Sequence, residues 1–346
     1  MPPLITLRSG LLGTDGLSHV RETIKLSLRA FLNRQATYGW LQLLNSHPLF
    51  HELVKARPRL IYKIYRPYLS NTLDCAERLA LLQAHYRFIF RQGLGALVVR
   101  AAQQPVLLGQ VDGKNGVPYG VELCAVEPLE REGELVLRLV QGSDLVYSVA
   151  FSFFRDGPHM ALGIGCLQGP QGEHGLGLIR EATRELHGLR PKNLMVRLLA
   201  QLGHDYGCRH MLLVGNPNRA VRTAARKGRV FADYDALWQE MEARPRLDGD
   251  YQLPCEPLCP PDMAEIASKK RSEARKRFDT LLALADAVRS GLQAPRIGAV
   301  ANGVTAAHDF STTADAAAAD AAATNAVAVN AMAADAGHLD YASAAS

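Results

Sequence analysis

No stretch of this 346-residue chain approaches the roughly 18 consecutive apolar residues that a membrane-crossing helix needs. Met1 to Ser18 shows no charged leader followed by an apolar core and a cleavage site. The expectation is a cytoplasmic protein with no transmembrane segment. Cysteine is sparse: six residues, at 75, 124, 166, 208, 255 and 259, are spread along the chain, which excludes a small disulfide-stapled scaffold and favours reduced thiols. Only Cys255 and Cys259 are close, and prolines at 254, 257, 260 and 261 surround them without a second cysteine pair or a histidine cluster. A stiff connector is expected there, and no metal site. Aromatics are 7% of the chain, with Tyr206 alone among the basic residues of 180–229, so the stacking platform of a single-strand binder is missing and nucleic acid is not the expected partner. G-x-S-x-G, H-E-x-x-H and the Walker loop are all absent.

What is present is the balance of a globular protein, 48% hydrophobic and 21% charged. The net charge of +5 is unevenly spread: residues 291–346 hold one arginine against five aspartates, whereas residues 180–229 hold eleven lysines and arginines against three acids. Charge so concentrated favours an anionic partner, whether a small phosphate-bearing molecule or a lipid headgroup, with peripheral contact at the inner membrane. A second basic cluster, Ser268-Lys269-Lys270-Arg271 with Arg275, Lys276 and Arg277, reads first as a solvated helix face that can also sit against anionic lipid.

Periodicity divides the chain. Ile24, Leu28, Phe31 and Leu32 recur at helical spacing, and Asp74 with Glu77 marks a capping box opening a helix that Gly93 closes. His85 lies beside the stripe of that second helix and reads as a packed or surface residue. From about residue 117 the period turns to two: Val121/Leu123/Ala125, Leu135/Leu137/Leu139, Leu145 to Phe153, and Met160 to Cys166 are four strands separated by turn residues, an antiparallel meander. Two helices follow, the second opening at Pro191 and stopping at Gly207, then a short buried strand over 208–214, a helix capped by Asp233, and a long helix over 262–289. The expected fold is α+β: a helical part over 1–100, a sheet with flanking helices over 101–290, and a disordered Ala-rich tail over 291–346.

Chemistry concentrates at Arg184-Glu185-Leu186-His187-Gly188-Leu189-Arg190-Pro191-Lys192-Asn193. A glycine break, several cations and an amide stand where a helix offers free N–H groups, and cations opposing the helix dipole there make sense if an anion joins them. Arg184, His187, Arg190, Lys192 and Asn193 are the candidate anion ligands, against the alternative of a solvated basic helix start. Gly163 and Gly165, on one face of the last meander strand, mark a close approach by a ligand or by backbone. Glu173, His174 and His187 are the candidate acid–base residues.

Several motifs in one order resemble the VirK/YbjX family of Gram-negative bacteria: Arg66-Pro67-Tyr68-Leu69, Glu77-Arg78 with His85-Tyr86-Arg87-Phe88, Ile164-Gly165 with Leu167-Gln168-Gly169, Leu186 to Lys192, Tyr234-Asp235 with Trp238, Asp248-Gly249 with Leu253-Pro254, and Ser268 to Arg271. The match spans roughly residues 40–285. It implies a role in envelope stress, virulence or tolerance of antimicrobial peptides, and brings no established reaction. A meander followed by an anion-holding helix and a buried strand is also similar to the core of N-acyltransferases, although their Arg/Gln-x-x-Gly-x-Gly/Ala loop is absent; that similarity implies acyl-CoA, or another phosphate-bearing acyl donor, as cofactor and transfer of an acyl group to an anionic envelope component. The alternative is a non-enzymatic regulator or adaptor on anionic lipid, protein or nucleic acid.

Overall fold

The computed structural model describes residues 3–13, 15–170, 172–221 and 233–293. Arg222, Arg226, Lys227 and Arg229 of the basic segment, and the tail from residue 294 onward, lie outside them. Helices α1 (Gly16–Leu32), α2 (Arg34–Leu44), α3 (Leu49–Ala56), α4 (Cys75–Arg91) and α5 (Gly95–Gln103) come first, with 3-10 turns at Leu7–Leu11 and Pro58–Tyr65. The capping box is formed as read: Glu77 N–H donates to Asp74 Oδ1 at 2.8 Å and Asp74 N–H to Glu77 Oε2 at 2.7 Å.

Five antiparallel strands follow, β1 (Val106–Asp112), β2 (Pro118–Ala125), β3 (Leu135–Gln141), β4 (Asp144–Asp156) and β5 (His159–Gln168). The four read from alternation are β2 to β5; β1 is an edge strand with little burial and no alternation to show. Helices α6 (Gly172–Glu185) and α7 (Pro191–Asp205) carry the chain across to β6 (His210–Leu213), which joins β5 in parallel, the connection a crossover of helices makes natural. Helix α8 (Tyr234–Glu240), strands β7 (Arg244–Pro245) and β8 (Tyr251–Pro254), and helix α9 (Ser268–Gln293) complete a sheet ordered β1-β2-β3-β4-β5-β6-β8-β7.

Alternation sorts the sheet. Val121, Leu123, Leu137, Leu139, Val149, Phe151, Phe153, Leu162 and Ile164 are buried in one core with side chains of α4, α5, α7 and α9. The helical part and the sheet share that core, which runs from Ile5 to Leu292. Helix α9 comes very close to β1 because both sides are glycine at the crossing: a Cβ on Gly291 would lie 2.0 Å from the Leu108 carbonyl oxygen, and one on Gly109 2.6 Å from Ala287 Cβ. The opposite face of β2 to β5 carries a row of small residues, Cys124, Val136, Ala150 and Cys166, with Leu129 packed on it.

Candidate functional site

The basic helix start is built as its sequence suggests. His187 (φ 54°) and Gly188 (φ 80°) take left-handed backbone that ends α6, and Pro191 opens α7. The cations there already hold an anion of the chain's own. Arg190 Nη1 donates to Glu240 Oε1 at 2.9 Å, and Lys192 Nζ to Glu240 Oε2 at 2.5 Å. The Lys192 hydrogen bond above all, with the charges of Lys192 and Arg190, holds the Glu240 carboxyl below its ordinary range against the opposing effect of burial. One carboxylate therefore stands between two cations, and both bridges lie near the surface, with Arg190 61% exposed. Asn193 Oδ1 is buried beside them without a hydrogen-bond partner among the described residues. Arg184 is exposed on α6.

The other predicted members are elsewhere. Glu173 and His174 are exposed in the first turn of α6 and reach none of these groups by a hydrogen bond or ion pair. Gly163 and Gly165 lie in the interior: a Cβ on Gly163 would meet Leu69 Cδ2 at 2.8 Å, and one on Gly165 the Glu132 carbonyl oxygen at 2.1 Å. The close approach marked by these glycines, left open in the sequence between a ligand and backbone, is made here by the protein's own chain.

Strands β5 and β6 pair over only four residues, and the last link between their ends is Val214 N–H to Ile164 O at 3.1 Å. Beyond it β5 runs on to Gln168 while the chain turns away at Gly215, and α8 fills the space between. Tyr234 Oη accepts from Leu167 N–H at 2.8 Å and donates to Leu167 O at 3.0 Å, and Trp238 Nε1 donates to Val214 O at 3.0 Å. Both rings are buried. The space between the two strand ends is thus occupied by two aromatic side chains.

Around Tyr234 gather groups not singled out as candidates from the sequence. The Arg219 guanidinium carbon sits 3.9 Å from the centroid of its ring, a cation–π contact, and Cys166 Sγ lies 3.3 Å from its hydroxyl. Glu132 is buried alongside, its Oε1 without a hydrogen-bond partner among the described residues. Burial pushes the Glu132 carboxyl up while Arg219 opposes it, and burial likewise raises the Cys166 thiol well above its ordinary range, with Glu132 adding to the rise. A thiol so placed stays protonated at neutral pH and is a poor nucleophile.

A second interior network stands where β3 ends and β4 runs on. Past Phe151 the β4 edge loses its β3 partner, and His85 of α4 takes that place, its Nδ1 accepting from Phe153 N–H at 3.1 Å. Ser152 Oγ accepts from Glu134 N–H at 3.0 Å and shares a 2.6 Å hydrogen bond with Tyr68 Oη. The Glu134 carboxylate pairs with Lys63 and accepts from Tyr86 Oη at 2.5 Å. Burial alone would raise that carboxyl; Lys63, His85 and Tyr86 together more than offset it and leave it below the ordinary range. The signal available beforehand was a glutamate within the buried run Gly133-Glu134-Leu135, where an apolar residue is the rule.

On the surface, the two basic clusters meet. Arg277 of α9 donates from Nε to the His187 carbonyl oxygen at 3.0 Å, which ties the basic amino-terminal half of α9 to the left-handed turn before Arg190. In that half Lys269, Lys270, Arg271, Arg275 and Lys276 are exposed.

Residues 15–290 match the family model described as protein of unknown function, DUF535. The chain belongs to this family. Relatives of the DUF535 chain include the Escherichia coli K12 protein YbjX, 28% identical over 267 residues and covering 75% of this chain and 80% of YbjX. A Haemophilus influenzae protein is 27% identical over 271 residues, covering 78% of this chain and 88% of its own length. A Mannheimia haemolytica protein called membrane protein LapB is 26% identical over 212 residues, covering 60% of this chain and 88% of LapB. Among solved structures, a cAMP-binding acyltransferase from Mycobacterium smegmatis aligns at 13% identity with a TM-score of 0.26, covering 58% of this chain and 64% of that one. The DUF535 chain thus spans less than two thirds of that acyltransferase's length, and a likeness of this size carries no conclusion about activity.

Proposed function

We propose that this DUF535 chain is a non-enzymatic binding protein that docks on an anionic surface, the headgroup layer of the inner membrane, through the basic face joined by Arg277 and His187, and serves there in envelope stress, virulence or tolerance of antimicrobial peptides. The contact that carries the reading is the Arg277 to His187 hydrogen bond, which sets two cation-rich segments some ninety residues apart in sequence side by side. Together they present Arg190, Lys192 and the cations of the amino-terminal half of α9 against Glu240, Glu273 and Asp279. Each exposed cation near an anionic bilayer is worth about 1 kcal/mol, so several acting together bind without a shaped pocket. No helix among the described residues is long and apolar enough to cross a membrane, and the name of the Mannheimia relative, membrane protein LapB, is in keeping with peripheral attachment.

Binding is favoured over acyl transfer because burial keeps the Cys166 thiol protonated, and the candidate acid–base residues Glu173 and His174 stand exposed with no hydrogen bond or ion pair to the cations of the α7 start among the described residues. The test is cosedimentation of the full chain with phosphatidylglycerol-containing vesicles. The variant Lys270→Glu, Arg271→Glu, Arg275→Glu is expected to bind more than tenfold more weakly while melting as the wild type does; unchanged binding removes the α9 face from the account.

A further inference from the structure

Surface helices of a globular protein bury one apolar face and turn a polar face outward. Helix α1 does otherwise. It buries Leu26 and Ala30, while on the opposite side Leu17, Val20, Ile24, Leu28 and Phe31, spaced by three and four residues, form a stripe with Leu32 in which every side chain is between 54% and 90% exposed. Scattered exposed leucines are ordinary, but nine of the twelve large hydrophobic residues exposed among the described residues fall between Leu4 and Tyr38, and a concentration of that kind marks a surface meant to be covered.

The charges beside the stripe say by what. On a helix of 100° per residue Arg21, Lys25 and Arg29 run along one flank of it, and residues 3–38 carry five cations, these three with Arg8 and Arg34, against Asp15 and Glu22. Glu22 is held by Lys25 at 3.3 Å. The Arg34 guanidinium lies 5.5 Å from the Phe31 ring centroid, a cation against an aromatic face at the end of the stripe. A second copy of the chain would bring the same cationic excess to the contact. A bilayer interface with anionic headgroups instead receives the apolar row in its acyl boundary and the flank in its phosphate layer, the arrangement of a helix lying in the membrane plane.

We propose that α1 is an interfacial anchor whose Leu17 to Leu32 stripe inserts into an anionic lipid monolayer. It is a different device from the basic face of α9: it needs the acyl region as well as the headgroups, and it stands or falls separately.

The experiment uses the full chain with vesicles of phosphatidylglycerol and phosphatidylethanolamine, and with vesicles of phosphatidylcholine alone. Phe31→Trp places a reporter on the stripe against Trp40 and Trp238, which are both buried. Its emission is expected to shift to shorter wavelength on the anionic vesicles and to be quenched by lipids brominated in the chains, with little change on phosphatidylcholine. The variant Ile24→Ser, Leu28→Ser, Phe31→Ser is expected to lose more than tenfold in partitioning with an unchanged melting curve, since none of the three packs in the core. Retained partitioning, or no quenching of the reporter by brominated chains, overturns the proposal. So does a concentration-dependent dimer in lipid-free solution that the same serine variant dissolves, because the stripe is then covered by a second copy. The α9 charge reversal serves as the control that separates the two readings: it is expected to weaken binding while leaving the reporter quenched at saturating lipid.

Discussion

At the start of α7 a single carboxylate sets how much of the local positive charge is available. Glu240 spans Arg190 and Lys192, and each bridge is exposed enough to be worth roughly 0.5 kcal/mol to the fold, so an anion bearing more charge can replace it. Glu240→Gln is expected to raise binding of anionic vesicles several-fold, read by cosedimentation at fixed ionic strength, while changing stability by less than about 1 kcal/mol. Unchanged binding would show that the Arg190–Lys192 pair faces no ligand. A second residue-scale expectation concerns His85, whose ring is wholly buried; burial pulls its pKa down from 6.5 to about 4, with Lys63 acting in the same sense and Glu134 opposing. In the unfolded chain the ring takes a proton near pH 6.5, so stability is full above that value and drains away as pH falls toward 4, by up to about 3 kcal/mol. The depressed Glu134 carboxyl adds to the loss at the acid end of that window, since its contribution disappears as pH falls through its lowered value. Urea denaturation at pH 7, 6, 5 and 4 measures this slope, and His85→Gln is expected to flatten it between pH 6.5 and 4 while lowering stability at pH 7.

The elements show what the sequence could and could not reveal. Helices α4 and α7 were legible from caps and stops, and β2 to β5 from strict alternation, because local backbone chemistry decides them. The stripe Ile24, Leu28, Phe31, Leu32 announced a helix correctly but not its orientation: periodicity marks an apolar face and is silent on whether protein, lipid or water meets it. Gly163 and Gly165 announced a close approach, and only the fold reveals that Leu69 and Glu132 make it. Strand β1 escaped notice because an edge strand that buries little has no pattern to display. Its hold on α9 depends on two glycines, so Gly291→Ala, which forces a methyl group into the Leu108 carbonyl, is expected to cost about 1–3 kcal/mol by denaturant titration. A cost near zero would mean that α9 shifts freely along β1.

Over the whole molecule, polar groups divide into two populations. The interior set, Lys63, His85, Glu132, Glu134, Cys166, Arg219 and Tyr234, is enclosed and largely self-satisfied, and several of the motifs that carry the family resemblance, Tyr68, His85, Tyr86, Tyr234 and Trp238 among them, belong to it or line it. In the sequence those motifs carried only the family resemblance, and in the fold they are internal scaffolding of the sheet ends. The exposed set includes the basic clusters of 180–229 and 268–277, whose crowding was visible in the sequence as charge; the meeting of Arg277 with His187 was not, because the two are 90 residues apart.

The central claim is docking on an anionic surface through dispersed charge. It is tested most directly by titrating sodium chloride into the full chain bound to phosphatidylglycerol vesicles, with acyl-CoA binding followed in parallel by calorimetry. Affinity for the vesicles is predicted to fall steeply between 50 and 500 mM salt, as the Debye length contracts from above 10 Å to a few ångströms, and acyl-CoA is predicted to give no saturable site. Saturable acyl-CoA binding that persists at 500 mM salt, with no measurable affinity for the vesicles, would contradict it.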